Sequence, residues 1–83
     1  MLTYFVVQSF SRGRKGAVVA DLPLQMQTGE QAIRRAERLA KGRVGALAFS
    51  RLADPDTGDY AEAVVLGKFG DIPEIEEQLR LAS

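Results

Sequence analysis

A chain of 83 residues has room for one domain, and by size scaling such a domain buries roughly 60 to 65% of the surface its unfolded chain exposes. A composition of 46% apolar and 27% charged residues is that of a globular chain, with no apolar run near the roughly 20 residues of a membrane-spanning helix. Cysteine and histidine are both absent, which excludes disulfides, thiolate metal sites, the commonest zinc ligand and the commonest general base.

The N-terminus has no basic flank followed by an apolar stretch and a cleavage site, so a cytoplasmic protein is expected. Net charge is zero but unevenly divided. Residues 1–43 carry eight Lys or Arg against three acids, and residues 44–83 carry three against eight, so the halves are +5 and −5. Such a division favours an anionic partner on one half or association of opposite patches.

In chain order, residues 2–10 are rich in β-branched and aromatic side chains and read as a strand, and residues 11–16 supply the glycines of a hairpin loop. Val18, Ala20, Leu22, Leu24 and Met26 then alternate with Val19, Asp21, Pro23 and Gln25, the pattern of a second strand. Pro23 cannot donate a ladder hydrogen bond, which puts that strand at an edge or bulge. Thr28 and Gln31 have the spacing of a capping box. The helix they open runs to about Lys41, with Ala32, Ile33, Ala36, Leu39 and Ala40 on one stripe and Gly42 suited to a left-handed end.

Residues 44–52 and 60–69 read as a second strand pair joined by the turn-rich segment 53–59. Asp71 and Glu74 form another capping box, opening a terminal helix with a stripe of Ile72, Ile75 and Leu79. The expected fold is therefore α+β: a single domain, ββαββα, with a four-stranded antiparallel sheet of order 2-1-3-4 and two helices in a two-layer sandwich. Phe10-Ser11-Arg12, Ala17-Val18-Val19 and Asp21-Leu22-Pro23 recur in order as Phe49-Ser50-Arg51, Ala63-Val64-Val65 and Asp71-Ile72-Pro73. This order suggests an internal duplication of units 2–42 and 43–83.

Both faces of the expected sheet are apolar, and an uncovered apolar face marks an interaction site. A homodimer through Tyr4, Val6 and Phe10 is the expected use of that face, a protein partner is a second, and a monomer with one helix on each face is the alternative. The basic half supplies a second candidate: Arg12, Arg14 and Lys15 in the hairpin loop with Arg34, Arg35, Arg38 and Lys41 on the helix, a set suited to phosphates. The loop is not a P-loop, since the required spacing and following helix are missing. Residues 54–59 cluster aspartates without the glycine and closing Glu positions of a calcium loop, and a turn accounts for them. No catalytic pair has a recognisable spacing, so no enzyme, metal or cofactor is expected.

Over its whole length the chain resembles short uncharacterised bacterial proteins, through Tyr4-Phe-Val-Val-Gln-Ser-Phe10 before a basic turn and Ala46-Leu-Ala-Phe-Ser-Arg51 before an Asp-rich turn. The resemblance implies no activity. The expected function is a small non-enzymatic interaction or regulatory module, and the alternative is a weak nucleic-acid or anion binder.

Overall fold

Alternating apolar residues draw β1 (Leu2–Arg12) into the middle of an antiparallel sheet. The computed structural model of the protein describes residues 2–72. A 3-10 turn at Arg14–Gly16 follows β1, then β2 (Val18–Ala20), β3 (Leu24–Met26), α1 (Gly29–Ala40), β4 (Gly45–Ala53) and β5 (Val64–Gly70). The sheet runs β2-β1-β4-β5, and β3 lies beside β2 on the same edge of β1.

This corrects the expected four-stranded sheet with two helices: among the described residues there are five strands and one helix. The strand expected over 18–26 is cut at 21–23, where Pro23 has no N–H to give and Asp21 turns its carboxylate onto Ser9, Ser11 and Arg43. Only Phe10↔Ala20 to Arg12↔Val18 and Phe5↔Met26 to Val7↔Leu24 remain paired along that edge. The helix expected from Asp71 onward lies outside the described residues. Of the second expected unit, 43–83, only the part to Ile72 lies within the described residues. The first carries three strands and α1, whereas the described part of the second has two strands, and its connection spans ten residues from Asp54 to Ala63.

Thr28 caps α1 as its side chain accepts a hydrogen bond from the Gln31 N–H at 3.1 Å, and the Gln31 side chain accepts from the N–H of Gln27. At the other end the helix closes without a left-handed glycine. The N–H groups of Lys41 and Gly42 bond the carbonyls of Arg38 and Leu39, tightening the last turn. Ala32 and Ala36 are fully buried, and they let α1 lie close against Val7, Ala46 and Ala48. Ile33, Leu39, Phe5, Met26, Leu66 and Phe69 complete this layer.

Because side chains alternate along β4, Leu47 and Phe49 face away from α1. With Phe10 they form a second apolar cluster, against which Val6, Val44, Ala63 and Ile72 pack. Phe10 and Leu47 are fully buried, each contributing about 1.5–3 kcal/mol by transfer from water. The sheet is thus apolar on both faces, and among the described residues α1 covers the first and Val6, Val44, Ala63 and Ile72 pack on the second.

Candidate functional site

The break at the sheet edge is organised around Asp21. Ser9 Oγ donates to its Oδ2 at 2.9 Å, and Ser11 Oγ sits 2.9 Å from Oδ1 and 2.8 Å from Oδ2. Arg43 Nη1 donates to Oδ2 at 2.8 Å and to Ser9 Oγ at 3.2 Å. The Asp21 N–H bonds the Ser9 carbonyl, and Gln8 Nε2 donates to the Asp21 carbonyl at 2.5 Å. Burial pushes the Asp21 carboxyl up, but hydrogen bonds from Ser11, Arg43 and Ser9, with the charge of Arg43, outweigh it and hold the group below its ordinary value of 3.8. A carboxylate so well supplied with donors is a poor base near neutrality, and Ser9 is only 3% exposed. The cluster is a structural latch that ties β1, the edge break and the segment after α1 together.

Arg43 is therefore neutralised. The remaining basic residues are placed by register. The pairing of β1 with β4 ends at Phe10↔Gly45, while its pairing with β2 continues to Arg12↔Val18. Beyond Phe10, β1 and β2 form a two-stranded arm that is closed by the Gly13 N–H bonding the Ala17 carbonyl at 2.6 Å. Arg12, Arg14 and Lys15 all lie exposed on this arm, and Arg12 Nη1 donates to the Gly16 carbonyl at 2.8 Å. α1 ends at the same end of the molecule, since the Val44 N–H bonds the Phe10 carbonyl at 2.9 Å. Arg38, in the last turn of α1, and Lys41, its C-cap, are exposed at that same end, off the stripe that packs on the sheet. Among the described residues Arg14, Lys15, Arg38 and Lys41 make no ion pair.

Lys15 adopts a left-handed conformation, φ 60° and ψ 20°, which costs a side chain with a Cβ about 1 kcal/mol or more. Gly16 beside it is also left-handed, φ 78°, where glycine is at home. The turn holds a cation at a position that glycine or asparagine would fill with less strain.

Four acids collect at the opposite end, while Asp71 lies beside the root of the arm, its N–H bonding the Val44 carbonyl at 3.0 Å. Leu2 pairs with Ala53, and the loop that follows carries Asp54, Asp56, Asp59 and Glu62. Its aspartates are engaged as turn formers: Asp54 Oδ1 accepts from the Asp56 N–H at 2.9 Å, and the Gly58 N–H bonds the Asp54 carbonyl at 2.8 Å. Among the described residues no group of three or more acids is arranged to hold a metal ion. The molecule measures 42 × 24 × 16 Å along its principal axes, and the eleven residues of β1 at about 3.3 Å each span ~36 Å of the longest. Basic arm and acidic loop thus lie at the two ends of the long axis.

Of the candidate cations, the fold puts Arg12, Arg14 and Lys15 on the arm and Arg38 and Lys41 at the end of α1, at the same end of the molecule. Arg35 is exposed farther back along α1, and Arg34 is paired with Glu30 one turn earlier. Of the candidate dimer residues, Phe10 is fully buried inside the chain and has no surface to offer a second copy, while Tyr4 and Val6 are half-buried. The Ser9, Ser11, Asp21 and Arg43 latch carries no signal in local sequence, because its members stand 10 to 34 residues apart from their main partners. No described helix is long and apolar enough to cross a membrane. No protein-family model, curated protein or solved structure matches this chain, so the functional reading rests on the site itself.

Proposed function

We propose that the domain is a non-catalytic binding module that takes a polyanionic macromolecule on its basic end. The observation that carries this reading is the register of β1, which extends past β4 as a basic arm at the end of the molecule where α1 ends with Arg38 and Lys41. Zero net charge does not oppose it. The Debye length is about 8 Å at physiological ionic strength, so the acids of loop 54–62 at the far end of a 42 Å molecule are screened from a ligand at the arm, and of the described acids Glu37 and Asp71 lie toward the basic end. Ser9, Ser11 and Asp21 are absorbed in the latch, with the carboxylate held low.

The test is binding of a fluorescent heparin oligosaccharide at 50 mM and 300 mM salt. The wild type should bind at the lower salt and release at the higher. Arg14→Glu with Lys15→Glu should abolish binding, while Asp56→Lys with Asp59→Lys should leave it unchanged or stronger. Absence of binding at 50 mM salt, or an arm variant that binds like the wild type, refutes the reading.

A further inference from the structure

Resting on the polyanion reading, we propose that the polyanion is a B-form DNA duplex, with the β1–β2 arm entering its major groove and Arg38 and Lys41 held on flanking phosphates. Three features of the arm bear on the nature of the partner.

The first is its cross-section. Beyond Phe10↔Gly45 only two strands continue, about 4.8 Å apart, and a two-stranded ribbon is a shape that a major groove of about 12 Å admits. Arg12 stands about 7 Å past the level of Phe10, and the turn at Arg14–Gly16 carries the ribbon farther. The second is its apolar content. Val18 and Val19 are 39% and 47% exposed on the arm, where they add nothing to either core cluster, and side chains of this kind suit the thymine methyl groups that line the major groove. The third is the strained Lys15. A left-handed lysine at a turn tip is costly for folding, and an observed outlier of this kind points to a task that needs that side chain there. A flexible polyanion would be held as well by cations on any exposed loop, whereas a ribbon with its cations at the tip and a second pair at the same end of the molecule fits a groove bounded by two phosphate rows.

Four unpaired cations predict a salt dependence with a slope of about −3.6 in log affinity against log salt, a loss of roughly 150-fold between 50 and 200 mM. Fluorescence anisotropy with a labelled 20-base-pair DNA duplex, its single strand and a heparin oligosaccharide tests the proposal. The duplex should bind at least tenfold more tightly than the single strand. Methyl green, which occupies the major groove, should displace the protein, and a minor-groove ligand such as distamycin should not. Lys15→Asn should weaken duplex binding several-fold while its thermal midpoint stays the same or rises, since asparagine tolerates the left-handed region. Arg38→Ala with Lys41→Ala should make the salt slope shallower by about 2. Equal binding of duplex and single strand, or displacement by distamycin alone, overturns the groove inference and leaves the polyanion reading standing. Failure to bind any of the three probes at 50 mM salt sinks both.

Discussion

Arg43 Nη1 lies 2.8 Å from Asp21 Oδ2, and this pair, 22 residues apart in sequence, joins the segment after α1 to the break in the edge strand. It sits at the root of the basic arm, because Ser9 and Ser11, on either side of the last β1–β4 pair at Phe10, donate to the same carboxylate. The arm is therefore held at its base by side chains, although its far part is paired only to itself. Arg43 is more than a third exposed, so its charge is partly screened, and the stronger contribution comes from the hydroxyl hydrogen bonds.

Removing the acceptor tests that assignment. Asp21→Ala leaves the buried Ser9 hydroxyl and the Arg43 guanidinium without their main partner and should destabilise the fold by about 2 kcal/mol. For a domain of this size the thermal midpoint should fall by roughly 8 °C or more, measured by circular dichroism. A fall of under 2 °C would mean that the edge break holds without the latch.

Acid should undo the same contribution in a defined window. Burial opposes ionisation of Asp21, but its hydrogen bonds from Ser11, Arg43 and Ser9 lower the folded-state value below the ordinary 3.8. Its stabilisation is therefore complete above that ordinary value and is lost as pH falls from there through the lowered folded value. Urea titrations of wild type and Asp21→Asn should show a stability gap that is constant from pH 7 to about 5 and closes below about pH 4. A gap that closes between pH 6 and 7 would assign the latch to some other group.

Gly45 is a third point of leverage. A Cβ there would be driven into the Asp71 carbonyl oxygen and come within 2.9 Å of the Phe69 carbonyl oxygen, all of it backbone. Gly45 pairs with Phe10 on one side and Gly70 on the other, where the arm separates from the body of the sheet. Gly45→Ala should cost about 2–3 kcal/mol, whereas Gly42→Ala, with open space around it, should change stability by less than about 0.5 kcal/mol. Denaturant midpoints of the two variants give the comparison directly.

The parts legible in the sequence are those set by local chemistry. Thr28, Gln31 and the stripe from Ala32 to Ala40 mark α1, because capping and a 3.6-residue period act within a few residues. Pro23 marks the edge of the sheet, but not the cut at 21–23, since the partners that bend the chain there, Ser9, Ser11 and Arg43, reach Asp21 through tertiary structure. The expected strand from residue 60 begins only at Val64, with Tyr60 making an isolated bridge to Ala53. The basic residues were readable as a list. Which of them converge depends on the two-residue overhang of β1 past Gly45, a register that composition does not encode. The left-handed Lys15 was equally hidden, because its conformation follows from closing a narrow ribbon between Gly13 and Ala17.

The central claim is that the basic end is the binding surface, and amide chemical-shift mapping tests it most directly. A uniformly 15N-labelled chain titrated with a short DNA duplex at 50 mM salt should show its largest shifts at residues 12–19 and 38–43, with residues 54–62 unmoved. Shifts centred on the acidic loop, or no shifts at any residue, would contradict the account.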